Sequence, residues 1–365
     1  MTDEEYIKLA LKLARRGLGW TSPNPMVGAV LVKDDRISGQ GYHRRLGGHH
    51  AEINALKNAS ADPSGATLYV TLEPCCHYGK TPPCVDAIIK NRIKKVVIGT
   101  LDPNPQVSGK SVKILTEHGI ETRVGVLEAE CRELNEAHFK YMTTGRPLVT
   151  IKFAQTLDGR IATASGDSRW ISSEKFRKRA HRLRAVNDAI LVGINTVLAD
   201  NPQLTVRLVR GRNPSRVILD SRLRTPLDCE IVKTLNMSPV MIATTAQADK
   251  KKVSQLRELG VEILEVQPDE SGEINLKQLL QELGQRDISS LLVEGGGKII
   301  TSFLRQKLAD RVVVAVAPRI LGKGIAAVGD LDIVQLRQAL KLTFQKISRA
   351  GEDIVIEASV VRSTA

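Results

Sequence analysis

Aromatic residues are scarce: Phe, Tyr and Trp together make up 3% of the 365 residues. Single-stranded nucleic acids are commonly held by bases stacked on exposed rings, and this chain has little material for such a platform. Long apolar runs are lacking as well, and none approaches the ~20 residues of a membrane-spanning helix. Neither an internal repeat nor a low-complexity tract is found. Cysteine is limited to Cys75, Cys76, Cys84, Cys131 and Cys229, and three of the five fall within ten residues. That clustering reads as a metal site rather than a disulfide framework. A soluble, cytoplasmic protein in a reducing compartment is expected.

What remains is an ordinary globular mixture, 42% hydrophobic and 25% charged, which argues against disorder. The length is too great for one compact domain and suits two. A formal net charge of +13 favours acidic partners, either nucleic acid or small phosphorylated molecules, and composition does not choose between them. The first residues, MTDEEYIKLALKLARRGLG, carry early acidic groups and place Tyr6, Leu9, Ala10 and Leu13 at helical spacing. They predict an amphipathic first helix rather than a presequence.

Helix and strand patterns alternate along the whole chain, which predicts an α/β protein. In the first half, strands are expected at Val27–Val32, Ala66–Leu72, Lys95–Thr100 and Glu121–Val126. Helices are expected over 50–59 and 85–90, with one long helix across 127–142. The segment Thr143-Thr144-Gly145-Arg146-Pro147 has the composition of a helix stop and sets a domain boundary, giving domains 1–145 and 146–365. In the second half, strands are expected at Leu148–Ala154, Ala189–Val192, Arg216–Asp220, Val240–Thr244, Ser290–Val293, Arg311–Ala317 and Ile354–Val361, with a helix over 173–186.

Two short motifs carry the chemistry of the first half. His50-Ala51-Glu52 opens a predicted helix, and Glu73-Pro74-Cys75-Cys76-His77-Tyr78-Gly79-Lys80-Thr81-Pro82-Pro83-Cys84 follows a strand. One imidazole and two thiolates, His50, Cys75 and Cys84, suit Zn²⁺ and leave its fourth position open for water. Glu52, two residues after the ligand, is placed to carry protons as the catalytic acid and base. A structural site would need a fourth protein ligand, for which Cys76 or His77 are the candidates, and would leave Glu52 without a role. His49 is the nearest rival to His50. Cys131 and Cys229 are expected in the core.

The order Ser22-Pro23-Asn24-Pro25…Val27-Gly28-Ala29-Val30, Gly39…Gly41…His43, His50-Ala51-Glu52 and Thr71-Leu72-Glu73-Pro74-Cys75…Thr81-Pro82-Pro83-Cys84 resembles the deaminase half of the bifunctional riboflavin-biosynthesis deaminase–reductases. The generic deaminase pattern separates its two cysteines by two residues; here eight intervene, as in that family. The resemblance implies a zinc cytidine-deaminase-like α/β/α sandwich with one Zn²⁺ per chain, and substrate contacts from Asn24, His43 and Lys80.

The second half is similar to the reductase half of the same family, through Val149–Ala162, Gly166–Ser172, Gly193–Arg207 and Leu292-Val293-Glu294-Gly295-Gly296-Gly297-Lys298. In that last stretch a strand runs into glycines and then a predicted helix, an arrangement that lets backbone N–H groups approach a pyrophosphate. It is not a G-x-G-x-x-G turn, so a standard dinucleotide fold is not expected. The resemblance implies a dihydrofolate-reductase-like α/β domain that uses NADPH. It places Ala154, Trp170, Thr196, Asp200, Ser221, Gly296, Gly297, Lys298, Ile299, Ile300, Thr301 and Ser302 at the cofactor, and Lys152, Ser168, Arg184, Leu204, Arg207 and Glu294 at the substrate. Arg177, Lys178, Arg179 and Arg182 are expected on a solvated helix face.

The family's activity implies deamination of a diaminopyrimidinone carrying a ribosylamino phosphate, then reduction of the ribosyl chain to ribityl. A small phosphorylated pyrimidine accounts for part of the positive charge without nucleic acid or membrane, and a homo-oligomer is expected. The competing reading, a nucleic-acid deaminase with a second binding domain, would call for the aromatic residues that are scarce here.

Overall fold

The computed structural model describes residues 1–78 and 82–361. It divides into two compact units, Met1–Arg146 and Pro147–Ala365.

The first unit opens with α1 (Asp3–Ala14), started by a capping box in which Thr2 and Glu5 satisfy each other's backbone N–H. Next come β1 (Gly28–Lys33), β2 (Arg36–Tyr42), α2 (Ala51–Lys57), β3 (Thr67–Leu72) and α3 (Cys84–Lys90). After them follow β4 (Lys95–Thr100), α4 (Lys110–Glu117), β5 (Glu121–Val124), α5 (Glu128–Leu134) and α6 (Glu136–Thr144). Among the described residues the sheet order is β2-β1-β3-β4-β5, with β1 antiparallel to both neighbours and β3, β4 and β5 parallel. Strand alternation sends Ala29 and Leu31 toward α2 and α3, and Val30 and Val32 toward α1 and Cys131. Both faces of the sheet are therefore covered, which makes an α/β/α sandwich. Gly28 permits the contact with α1: a Cβ there would lie 1.9 Å from the Ala10 carbonyl oxygen.

The expected long helix over 127–142 is two helices. Asn135 interrupts it because its buried side chain accepts a hydrogen bond from the Met26 N–H (2.8 Å) and donates one to the Met26 carbonyl (2.9 Å). Two bonds to a distant backbone outweigh continuous helix at one residue.

The second unit runs β6 (Leu148–Thr156), β7 (Arg160–Thr163), α7 (Glu174–Val186), β8 (Ala189–Gly193), α8 (Ile194–Asp200), β9 (Ser215–Leu219) and α9 (Glu230–Lys233). It continues through β10 (Val240–Thr244), α10 (Lys250–Glu258), β11 (Glu262–Glu265), α11 (Leu276–Gly284), β12 (Ser290–Val293) and α12 (Gly297–Arg305). The last elements are β13 (Arg311–Ala317), β14 (Gly324–Ala326), β15 (Leu342–Ala350) and β16 (Asp353–Val360). Among the described residues the large sheet has the order β11-β10-β9-β8-β12-β6-β13-β16-β15. Pairing is parallel from β11 to β13, and β16 and β15 close the edge antiparallel. The central strands β8 and β12 are buried along their whole length and mostly apolar, as expected where helices cover both faces. The carboxyl ends of β8, β9 and β12 lead straight into Gly193, Ser221 and Glu294, which line the cavity described below.

α7 corrects one expectation. Lys178 and Arg182 are solvated, but Arg177 faces the cavity with its guanidinium 4.6 Å from the Trp170 ring centroid. Arg179 is half-buried, bonded to Glu357 and Ser348. Residues 177, 181 and 184 share one helical face, and that face is turned inward.

Candidate active sites

His50 is the residue just ahead of α2, Cys75 follows the end of β3, and Cys84 opens α3. Their ligand atoms all lie within 4.8 Å of one another. His50 Nδ1 is 3.5 Å from Cys75 Sγ and 3.3 Å from Cys84 Sγ. The Cys84 N–H donates to Cys75 Sγ at 3.3 Å, which ties the start of α3 to Cys75. Hydrogen bonds from Cys84 and then His50 pull the Cys75 thiol well below its usual range. Cys84 is pushed up, first by the hydrogen bond its thiol makes to Cys75 and then by burial. One imidazole and two such thiols fit zinc.

Glu52 is 3% exposed in the first turn of α2, its Oε2 has no hydrogen-bonding partner, and burial pushes its carboxyl up. The rivals of this ligand set are turned elsewhere. His49 Nε2 pairs with Lys57 Nζ at 2.8 Å, and the Cys76 thiol points to the Gln106 carbonyl at 3.7 Å. Asn24 and His43 meet beside the cluster: the His43 ring lies edge-on to His50 with centroids 5.3 Å apart. His43 Nδ1–H donates to the His49 carbonyl at 3.1 Å, so Nε2 accepts from Asn24 Nδ2 at 3.3 Å. Lys80 lies outside the described residues.

In the second unit a cavity of about 1580 Å³ opens at the strand ends. Ala154, Trp170, Thr196, Asp200, Ser221, Gly296, Gly297, Lys298, Ile299, Thr301 and Ser302 line it, together with Lys152, Ser168, Arg184, Arg207 and Glu294. Two expected residues do not. The Ile300 side chain is fully buried in the main core, because it lies on the opposite face of α12 from Lys298 and Ser302. The Leu204 side chain packs into the second core cluster. At the cavity wall Arg184 grips Glu294 through Nε (3.1 Å) and Nη2 (2.8 Å), and Lys152 Nζ stands 3.8 Å from the same carboxylate. Burial alone would raise Glu294, but Arg184 and Lys152 outweigh it and hold the carboxyl at about 2. Burial lowers Lys152.

A family model for the cytidine and deoxycytidylate deaminase zinc-binding region matches residues 1–100, and one for the RibD C-terminal domain matches residues 147–356. The chain is 49% identical to the riboflavin biosynthesis protein RibD of Aquifex aeolicus over 355 residues, 97% of each chain. The chain belongs to the RibD family. RibD of Escherichia coli K12 is 38% identical, with 98% of this chain and 99% of that one covered. A solved structure of Acinetobacter baumannii RibD superposes with a TM-score of 0.90 at 40% identity, covering 99% of both chains. A second, from Thermotoga maritima, is described as a diaminohydroxyphosphoribosylaminopyrimidine deaminase/5-amino-6-(5-phosphoribosylamino)uracil reductase. It gives a TM-score of 0.85 at 41% identity, covering 98% of this chain and 99% of that one.

As a RibD, the chain is a bifunctional riboflavin-biosynthesis enzyme, a zinc deaminase and an NADPH-dependent reductase. Two supporting groups escaped the sequence reading. Glu73 accepts the backbone N–H groups of Asp102 (3.2 Å), Gly109 (3.0 Å) and Ser111 (3.1 Å), fastening the loop after β4 to the strand end that bears Cys75. Its place directly after an apolar strand was the available signal. His181, buried on the inward face of α7, was hidden in a basic run; its spacing of three from Arg184 was the only hint.

Proposed function

We propose that residues 1–145 carry the deaminase and residues 146–365 the reductase, acting in that order on one phosphorylated pyrimidine. The substrate is 2,5-diamino-6-(5-phosphoribosylamino)pyrimidin-4(3H)-one, and the product 5-amino-6-(5-phosphoribitylamino)uracil. The observation that carries the first step is the convergence of His50, Cys75 and Cys84 beside the buried, partnerless Glu52 Oε2.

His50, Cys75 and Cys84 would hold zinc, which would supply the Lewis acidity that activates water. Glu52 takes a proton from that water and returns it to the departing amine, so water enters, ammonia leaves, and a carbonyl replaces the C–NH₂. A carboxyl raised by burial is suited to hold the proton between those events. Asn24 and His43, with Lys80, hold the substrate.

In the reductase NADPH, when bound, supplies hydride to C1′ of the opened ribosyl chain. Lys152, its ammonium weakened by burial, delivers the proton to the adjacent nitrogen, and Glu294 holds Lys152 and Arg184 in place. Arg207 and Arg184 take the acidic end of the substrate, for which bidentate guanidinium donors are suited. Ser168 and the loop at Leu204 complete that wall. The N-terminal turn of α12, with Trp170, Thr196, Asp200 and Ser221, holds the cofactor.

We also place the enzyme in the cytoplasm, as a homo-oligomer. Among the described residues no helix is long and apolar enough to cross a membrane. The edge strand β15 leaves Phe344 and Ile347 each 61% exposed, an apolar ridge suited to a second copy.

One coupled assay tests the reading: ammonia and NADPH are followed separately after adding the diaminopyrimidinone. Ammonia release followed by NADPH oxidation is expected. Oxidation only with pre-deaminated substrate would refute the deaminase assignment.

A further inference from the structure

The loop before β9 that brings Arg207 to the cavity is conformationally costly. Leu204 within it has φ +57°, a left-handed backbone that a side chain disfavours. Something must hold this loop, and α7 does so at two points one turn apart. Arg184 Nη1 donates to the Thr205 carbonyl at 3.3 Å, and His181 Nδ1 accepts the backbone N–H of Arg207 at 3.0 Å. The Arg207 side chain is held in turn by Gln203 Oε1 (3.0 Å) and Thr205 Oγ1 (2.8 Å).

We propose that His181 is a positioning residue of the reductase: by accepting the Arg207 backbone N–H, it fixes the loop that presents Arg207 to the substrate. This rests on the reading above, in which Arg207 meets the substrate phosphate.

The bond requires an unprotonated Nδ1, and the surroundings supply that state. His181 is 7% exposed, and the charged groups facing it are Arg184 from its own helix, Arg207 from the loop, and Lys152 and Glu294 from the strands. Burial first, then Arg184 and Arg207, pulls the imidazole down to about 4. Glu294 opposes this, but it is already engaged by Arg184. With Nδ1 occupied as an acceptor, the ring proton sits on Nε2. Near neutral pH such a group is an acceptor for a backbone N–H and a poor acid for the reduction itself.

The test compares His181→Asn with His181→Phe in the full chain. Asn places Oδ1 close to where Nδ1 stands and keeps the acceptor, whereas Phe keeps a ring and removes it. Loss of one neutral hydrogen bond predicts amide exchange at Arg207 about five- to tenfold faster in His181→Phe, with a similar rise in KM for the deaminated ribosyl phosphate. In His181→Asn both should return to within about twofold of the parent, and NADPH affinity should be unchanged in both. Equal damage from the two substitutions would overturn the proposal, because it would make Nε2–H or the ring itself the required feature. Unchanged Arg207 exchange in His181→Phe would overturn it also. If His181→Phe does not fold, full Arg207 protection with normal KM in His181→Asn supports the proposal, and faster exchange with raised KM there refutes it. Arg207→Ala separates the underlying reading: it should lose the preference for phosphorylated over dephosphorylated substrate. If it keeps that preference, the phosphate reading fails while the exchange data still decide what His181 holds.

Discussion

Arg184 and Glu294, 110 residues apart, face each other as a two-bond fork at the wall of the reductase cavity, and both side chains are nearly closed to solvent. Taking charges out of water is costly, and here one carboxylate compensates both Arg184 and Lys152. Glu294→Gln leaves two buried cations without a counter-charge. The expected loss is about 3–5 kcal/mol of stability, read from denaturant unfolding of the reductase half. Reductase activity should fall with it while ammonia release persists. A variant as stable as the parent would show that the fork is not holding the site.

Glu52→Gln should retain zinc at one ion per chain and lose ammonia release by about 10²- to 10⁴-fold, the range contributed by a positioned proton carrier. Its NADPH oxidation with pre-deaminated substrate should match the parent. Retained deamination at full metal content would exclude Glu52 from proton transfer.

Cys75→Ser replaces a thiol that readily ionises with an alcohol that does not. Zinc content should fall to near zero by metal analysis, and ammonia release with it. Chelation of the parent should produce the same split: no deamination, intact reduction of the deaminated substrate. A chelated enzyme that still deaminates would remove the metal from the mechanism.

The glycines after β12 differ in what they permit. A Cβ at Gly297 would stand 2.7 Å from the Ala326 carbonyl oxygen, whereas at Gly296 the nearest atom is Thr196 Oγ1 at 3.9 Å. Gly297→Ala should lower the melting temperature, because β14 must move. Gly296→Ala should leave stability intact and weaken NADPH binding, since only close backbone approach of the cofactor is blocked. Equal NADPH affinity in Gly296→Ala would move the pyrophosphate away from this turn.

The pH dependence of stability has a defined sign. His181 stays unprotonated in the fold down to about 4, while the unfolded chain takes up a proton near the ordinary histidine value of 6.5. Its contribution is therefore complete above 6.5 and is lost as pH falls toward 4. Glu294 acts in a lower window, between its ordinary 4.5 and about 2. The melting temperature should drop more between pH 7 and pH 5 in the parent than in His181→Asn. Parallel drops would show that other groups govern this range.

The zinc cluster was legible because its residues come as local units. His50 and Glu52 are two apart at one helix start, Cys75 and Cys84 lie in one short motif, and the resemblance joined the two motifs into one site. The cavity-lining residues were legible only through the resemblance, since each is an unremarkable side chain taken singly. Even so, Ile300 was misplaced within the run 296–302, because one face of a helix that touches a ligand implies an opposite face that does not.

The sequence by itself determined the alternation of elements and the two short motifs that carry His50 with Glu52 and Cys75 with Cys84, all properties of neighbours along the chain. Tertiary structure alone decided the rest. It split the helix at Asn135 by offering a distant backbone two hydrogen bonds, and it turned Arg177 inward. It also joined Arg184 to Glu294 and His181 to the backbone of Arg207. These bonds gain their worth from burial, and burial is known only once the layers have packed.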